Sequence, residues 1–232
     1  TGDQTINSVI VGKGANSVAG NTVVGETALD ASVSGGNNTA IGKNALTALT
    51  SGTNNVAVGQ GALTTTETAS SNTAVGRNAM QLTTTGASNV AVGSNALQIN
   101  TTGLYNVAVG KGSLDANTTA SYNIALGYNS LTTNTTGEQN VAIGAEASNS
   151  NTTGSNNVSV GLQALYDNTT GGNNTAIGKR ALGDNTTASN NTALGSEALR
   201  LNTTGYSNAA VGKDALASNT TGNLNTAVGT YS

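Results

Sequence analysis

Residues 89–105 read NVAVGSNALQINTTGLY, and this 17-residue pattern recurs through almost the whole chain of 232 residues. Its fifth residue is a glycine that returns at the same place in every repeat, without an insertion or a deletion. We number each repeat from this glycine as position 0, so that Asn89 is at position −4 and Leu97 at position +4. A period kept this strictly indicates that every repeat matches its neighbours along one axis.

Four other positions hold nearly one residue type each. Position −4 is Asn in all thirteen repeats, and position −1 is always Val, Ile or Leu. Position −2 is Ala in eleven of the thirteen, with Val23 and Ser159 as the exceptions. Position +4 is Leu in ten of the twelve complete repeats, with Met80 and Ser148 as the exceptions. From position +7 the later repeats read Asn-Thr-Thr-Gly, a typical turn composition.

The pattern favours short strands over helices. The segment from −4 to −1 alternates with a period of two, uses β-branched residues at −3 and −1, and ends at a glycine. We expect a second extended segment at +2 to +5. A helix would need about ten residues without glycine, which no repeat offers. The sequence therefore predicts an all-β fold, a parallel β-solenoid (β-roll) of 17-residue coils, with strands about 4.7–4.8 Å apart. We expect residues 1–20 to form irregular N-terminal coils with NSVxxG-like motifs, and residues 21–232 to form the thirteen-unit array.

Stacking in register places identical residues above one another, which gives two sets of structural residues. The Asn residues at −4 are expected to form a ladder of side-chain amides, each donating to the coil on one side and accepting from the other. This ladder comprises Asn38, Asn55, Asn72, Asn89, Asn106, Asn123, Asn140, Asn157, Asn174, Asn191, Asn208 and Asn225, after Asn21 in the first repeat. The glycines at 0 meet either a required positive φ or a close backbone approach. They are Gly42, Gly59, Gly76, Gly93, Gly110, Gly127, Gly144, Gly161, Gly178, Gly195, Gly212 and Gly229, after Gly25.

The composition argues against several functional classes. The chain has no Cys and no His, so the commonest nucleophilic, general-base and metal-ligating side chains are missing. We therefore expect no enzyme, no cofactor and no metal site. Eight basic and eleven acidic residues give a net charge of −3 with no basic cluster, which argues against a nucleic-acid partner. No apolar run reaches the roughly 18 residues of a membrane span, so we expect no membrane insertion by this segment.

Two local motifs have plainer explanations than a site. The Gly-Lys pairs, such as Gly110-Lys111, lack the spacing of a phosphate-binding loop. The Asn-Thr-Thr triplets, such as Asn100-Thr101-Thr102, match the glycosylation sequon, but turn chemistry also explains them. The charged residues collect at +1, +2, +5 and +6, which indicates surfaces that face water. The six Tyr occupy variable positions, where they are available to stack on sugars or to join a protein interface.

Packing energy favours self-association. With one aliphatic at −1 and one Leu at +4 as its core, a coil buries too little apolar surface to offset the entropy of ordering a whole repeat. We expect Ala at −2 and +3 to face away from the −1 side chain and to let another chain approach closely. Lateral association is the natural inference, and a thin monomeric solenoid is the alternative that the same pattern leaves open. Because neither end carries a charged cap, we expect the chain either to be cut from a longer repeat array or to stack head to tail into a filament.

The start of the chain resembles a known family. Asn7-Ser8-Val9-Ile10-Val11-Gly12 and Asn16-Ser17-Val18-Ala19-Gly20 resemble the N-S-V-A-I-G repeat of trimeric autotransporter adhesin heads. The N-T-A-V-G-x-x-A-L-x-x-N-T-T-G variant is similar to repeats in phage and marine bacterial fibre proteins. The resemblance implies a trimer of left-handed parallel β-rolls at a bacterial surface.

Two functions remain open. The first is a structural and adhesive extracellular fibre segment, located at a cell surface or on a virion fibre, with an unidentified surface receptor or glycan. The second is an ice-binding β-solenoid with Thr arrays. An ice-binding face requires two outward Thr per strand at positions i and i+2. The paired Thr of this chain are adjacent, at +8 and +9, which favours the fibre.

Overall fold

The computed structural model describes residues 3–232, and the predicted parallel β-solenoid is confirmed. There are about twelve coils, each one repeat in length and with one short strand, and residues 3–232 contain no α-helix. The chain forms two compact units, Thr1–Thr119 and Ala120–Ser232.

The first unit begins with an antiparallel arrangement and continues as a parallel stack. Its strands are β1 (Gln4–Ile6), β2 (Val9–Gly12), β3 (Thr22–Gly25), β4 (Thr39–Ile41), β5 (Val56–Val58), β6 (Thr73–Val75), β7 (Val90–Val92) and β8 (Val107–Val109). Strands β1, β2 and β3 pair antiparallel, and a short 3-10 helix, Ala15–Ser17, lies between β2 and β3. The backbone N–H groups of Lys13 and Gly14 donate to the Asp3 carboxylate at 2.7 Å each. From β3 onward the pairing is parallel, with an offset of one repeat.

The second unit is a parallel stack throughout. Its strands are β9 (Ile124–Leu126), β10 (Val141–Ile143), β11 (Val158–Val160), β12 (Thr175–Ile177), β13 (Thr192–Leu194), β14 (Ala209–Val211) and β15 (Thr226–Val228). Each strand residue pairs with the residue one repeat further along, as Val141 does with Val158. Identical positions therefore lie directly above one another.

The core confirms one expectation of the sequence analysis, the buried Leu at +4, and reverses the other, the burial of the aliphatic at −1. Ala at −2 and +3 and Leu at +4 are buried inside the coil, as Ala91, Ala96 and Leu97 illustrate. The Val, Ile and Leu side chains at −1 point outward, as Val92 does. Ala at −2 and +3 therefore offers no outer face to another chain, and that expectation is wrong. The reason is strand geometry: −4 and −2 share one face of the strand, and −3 and −1 share the other. With Asn and Leu already inside, the narrow coil favours a small side chain at −2, and the buried Val23 of the first repeat is the largest found there.

The expected second extended segment at +2 to +5 is also wrong. Residues at +2 and +4 adopt left-handed backbone conformations, such as Asn95 (φ 58°) and Leu97 (φ 52°), and the segment turns. The turn keeps the hydrogen-bond ladder. The Asn95 N–H donates to the Arg77 carbonyl of the coil before it (2.9 Å), and the Leu97 N–H donates to the Ser113 carbonyl of the coil after it (2.9 Å). These bonds offset the cost of the left-handed residues.

The glycine at position 0 meets both of the constraints considered for it. From Gly42 to Gly229 its φ lies between 125° and 143°, where residues with a Cβ are rarely found. A Cβ at Gly93 would also lie 2.5 Å from the carbonyl oxygen of Gly110 in the next coil. Position +10 is Gly in most repeats but Ala in three of them. This position has no left-handed φ, and Ala69 and Ala188 are buried there.

Candidate assembly face and side-chain ladders

The outward side chains of the strands form an uncharged and mostly aliphatic surface in each unit. We call the residues at positions −3 and −1 the assembly face. Position −1 is Val, Ile or Leu in every repeat, position −3 is Val, Ile, Thr or Ala, and neither position carries a charge. In the first unit Ile41 is 39% exposed and Val92 37%; in the second unit Ile143 is 38% exposed and Leu194 44%. Soluble monomers rarely expose an apolar surface of this kind without a binding role.

The geometry of the assembly face is fixed by the backbone beneath it. The Gly N–H at position 0 donates to the position −1 carbonyl of the preceding coil at 2.8 Å, as Gly93 does to Val75 and Gly178 to Val160. Seven strands at about 4.8 Å extend the face of the second unit over roughly 30 Å. The side chains on it are mostly β-branched and have few rotamers. The face is therefore rigid as well as apolar, which lowers the entropy lost when a partner covers it.

The Asn residues at −4 lie inside the coil and bond to one another. The Asn174 side-chain oxygen accepts the backbone N–H of Asn191 (3.0 Å), and the Asn174 amide nitrogen donates to the Ala188 carbonyl (2.8 Å). The same kind of bond recurs in the first unit, where the Asn55 N–H donates to the Asn38 side chain (3.0 Å). Much of the ladder thus joins side chain to backbone, in addition to amide–amide bonds such as Asn140 to Asn123 (3.2 Å).

A second ladder, absent from the sequence analysis, is formed by the Asn at +7. In the second unit the Asn168 amide nitrogen donates to the Asn151 side-chain oxygen (2.9 Å) and to the Gly171 carbonyl (3.0 Å). The first unit contains the equivalent bond from Asn117 to Asn100 (2.8 Å). Asn recurs at +7 in eight successive repeats, and this recurrence is the one sequence feature that indicates the second ladder. A turn explains Asn at this position equally well, so the recurrence alone does not predict a ladder. Because Asn100, Asn151 and Asn168 are at most 1% exposed, these sequons are closed to a sugar in the folded chain.

The two Thr of each later repeat have different surroundings. The hydroxyl at +8 donates to the +8 carbonyl of the next coil, as Thr152 does to Thr169 (3.0 Å). The Thr at +9, such as Thr153 and Thr170, is exposed. Each coil in this region therefore presents one outward Thr column, not two.

Charged groups are sparse, and few are perturbed. Burial raises the pKa of Asp115, and one of its carboxylate oxygens has no hydrogen-bond partner in the described part of the chain. Burial also raises the pKa of Asp167, with a further contribution from the nearby Asp184. Across residues 3–232, no group of three or more His, Cys, Asp or Glu side chains could hold a metal ion. The same residues contain no helix that is long and apolar enough to cross a membrane.

The chain was also compared with known proteins. No family model, no curated protein and no solved structure matches it. The repeat geometry and its outward face are accordingly the basis for a functional assignment.

Proposed function

We propose that this chain is a segment of a structural and adhesive extracellular fibre, which associates laterally into a homotrimer through the assembly face. The observation that carries the proposal is the row of outward aliphatic side chains at −1 in each unit, from Val24 to Val109 in the first and from Leu126 to Val228 in the second. A fibre needs length, stiffness and resistance to proteolysis. A stack held by backbone hydrogen bonds and two Asn ladders supplies these properties without a catalytic group.

The energetics favour burial of this face. An aliphatic side chain that loses its remaining third of exposure contributes roughly 0.5–1 kcal/mol. Summed over the outward aliphatics at −3 and −1, this gain is comparable to the roughly 4–15 kcal/mol that association costs in lost translational and rotational freedom. A face one strand wide suits a closed arrangement about a rotation axis, in which each chain presents the same surface. The resemblance of residues 7–20 to trimeric adhesin heads supports three chains.

The proposal is tested by substituting a charged residue into the assembly face, at a side chain that points away from the chain's own core. Ile41→Lys should leave the coil folded, because the side chain is outward, and should reduce the native mass to that of one chain. Leu82→Lys is the matched control, since Leu82 is 40% exposed but lies at +6, outside the face. Analytical ultracentrifugation of both variants gives the result. A single-chain mass for the wild type, or equal effects of the two substitutions, would contradict the proposal.

The same measurement separates lateral from end-to-end assembly. A closed trimer has one fixed mass at all concentrations above its dissociation constant. Head-to-tail stacking, the other form of association expected from the sequence, gives particles whose mass rises continuously with concentration. Both the closed trimer and head-to-tail stacking are compatible with a fibre, and the dependence of the native mass on protein concentration distinguishes them.

Ice binding is the alternative function. It requires two ranks of outward Thr on a flat strand face, whereas the assembly face has no Thr at −1 in any repeat. The turn contributes a single outward Thr column at +9. Thermal hysteresis in a solution of the purified protein would favour ice binding over the fibre.

A further inference from the structure

A row of regularly spaced cations lies beside the assembly face of the first unit. Lys43, Arg77 and Lys111 all occupy position +1, immediately after the glycine, in every second repeat. Their side chains are exposed. Each cation is two coils from the next, which corresponds to about 9.5 Å at a rise of roughly 4.7–4.8 Å per coil. The intervening +1 residues, Gln60 and Ser94, are uncharged hydrogen-bonding groups.

The row is nearly free of neutralising acids. Glu67, at +8, is the only acidic residue between Asp30 and Asp115. Lys43 forms an ion pair with Glu26 (2.9 Å), whereas Arg77 and Lys111 form none with any residue that the structure describes. Spacing of about 9.5 Å exceeds the Debye length of roughly 8 Å at physiological ionic strength, so the three cations repel one another little.

The second unit provides an internal comparison. Lys179 and Lys213 also stand at +1 and are also separated by two repeats. Their surroundings contain acids, because Glu197 and Asp214 occupy +2 positions, and Lys213 lies 3.5 Å from the Asp214 carboxylate. The row of the first unit therefore has one acid, Glu26, beside three cations and pairs it with Lys43, whereas Lys179 and Lys213 of the second unit lie among two acids, Glu197 and Asp214.

We infer that the row formed by Lys43, Arg77 and Lys111 binds a linear acidic polysaccharide that carries one anionic group on every second sugar. An extended disaccharide is close in length to two coils, so successive carboxylates or sulfates meet successive cations. Amide and hydroxyl side chains between the cations, such as Asn78 and Ser94, can hydrogen-bond sugar hydroxyls. The rigid backbone fixes the spacing, so weak contacts add along one polymer.

Nucleic acid fits this row less well. Phosphates of one DNA strand follow one another about every 3.4 Å, far closer than the cations. Single-strand binding also uses aromatic side chains as stacking surfaces, and positions +1 and +2 of the first unit contain none.

The inference rests on the proposed adhesive fibre and names the class of ligand that this fibre would hold.

The test uses the full chain with hyaluronan as the probe, which has one carboxylate per disaccharide, and with uncharged dextran and single-stranded DNA for comparison. Biolayer interferometry should detect hyaluronan binding that weakens as salt rises. The triple variant K43Q/R77Q/K111Q should lose affinity by about eight-fold or more, since each exposed contact accounts for about two- to five-fold. The matched control K179Q/K213Q should stay within two-fold of the wild type. Glu26→Gln, which frees Lys43, should tighten binding about two-fold.

Several results would overturn the inference. They are an undetectable interaction with hyaluronan at low salt, an equal loss in the triple variant and the control, equal binding of dextran, or tighter binding of DNA. Thermal unfolding of each variant verifies that it folds. The native mass of the triple variant is measured in the same preparation. If the triple variant loses hyaluronan binding but keeps the native mass of a trimer, the cationic row is the binding site. If the wild type is a trimer that binds no polysaccharide, the fibre proposal stands and the polysaccharide inference is wrong.

Discussion

The Ser148 hydroxyl donates a hydrogen bond to the Ser159 hydroxyl at 2.9 Å, in the interior of the second unit. These residues are the exceptions at their positions in this unit, since Ser148 replaces Leu at +4 and Ser159 replaces Ala at −2. The Ser159 hydroxyl in turn donates to the Val141 carbonyl (3.2 Å). The two departures from the repeat are thus one feature, a buried polar pair in place of a buried apolar pair.

This pair predicts a strong coupling between the two positions. Ser159→Ala leaves the buried Ser148 hydroxyl without its partner and should destabilise the chain by about 1–3 kcal/mol. The double change Ser148→Leu/Ser159→Ala restores the apolar pair of other coils and should exceed the wild type in stability by about 1–3 kcal/mol. Urea unfolding of the wild type, both single variants and the double variant gives the coupling. Additive effects would show that the two serines act independently.

Removal of one Asn from the −4 ladder should be costly. Asn174→Ala leaves the Asn191 N–H and the Ala188 carbonyl without the buried partner that Asn174 provides. We expect a loss of about 2–4 kcal/mol in the free energy of unfolding. Lys179→Ala is the control, because Lys179 is exposed and forms no ion pair with the described residues, and it should change stability by less than about 0.5 kcal/mol. Similar small effects from both would show that the ladder contributes little.

The left-handed residue at +12 provides a backbone test. Asn173 has a φ of 58°, is exposed, and donates its N–H to the Ser155 carbonyl at 3.0 Å. Asn173→Gly should be neutral or stabilise by up to about 1 kcal/mol, since glycine adopts this conformation without steric strain. Asn173→Val should destabilise by about 1–2 kcal/mol, because a β-branched residue is unfavourable there. Thermal melts decide the order, and a Val variant more stable than the Gly variant would refute the left-handed assignment.

Asp115 should make stability depend on pH. Burial raises its pKa above the ordinary value of 3.8, so the folded chain favours the protonated carboxyl more than the unfolded chain does. Its stabilising contribution is complete below the unfolded pKa and is lost as pH rises through the folded pKa. Asp115→Asn should therefore raise the melting temperature at pH 7 and give little gain at pH 3. An equal gain at both pH values would contradict this explanation.

The repeat period was enough to predict the parallel stack and its register. Thirteen glycines in phase, from Gly25 to Gly229, permit only one vertical alignment. The direction in which the side chains point could not be read from the same pattern. Large aliphatics such as Val92 were expected inside and Ala91 outside, because burial normally follows side-chain size. The coil is too narrow for that rule once Asn89 and Leu97 occupy its interior.

The +7 ladder was missed for a different reason. Asn100 and Asn117 sit where a turn begins, and Asn is common there whether its side chain points inward or outward. The Asn117 amide reaches the Asn100 side chain because the two coils are stacked in register, which local turn chemistry does not specify. Likewise, Lys43, Arg77 and Lys111 can be found in the sequence. Their alignment in one row follows only from in-register stacking with a constant rise per coil.

The central claim is that the outward aliphatic face is an interface between copies of this chain, and the mass of the native wild-type assembly tests it most directly. Sedimentation equilibrium in physiological salt should give three times the mass of one chain, unchanged over a ten-fold range of concentration. A mass equal to one chain over that range, with the protein fully folded by circular dichroism, would contradict the account.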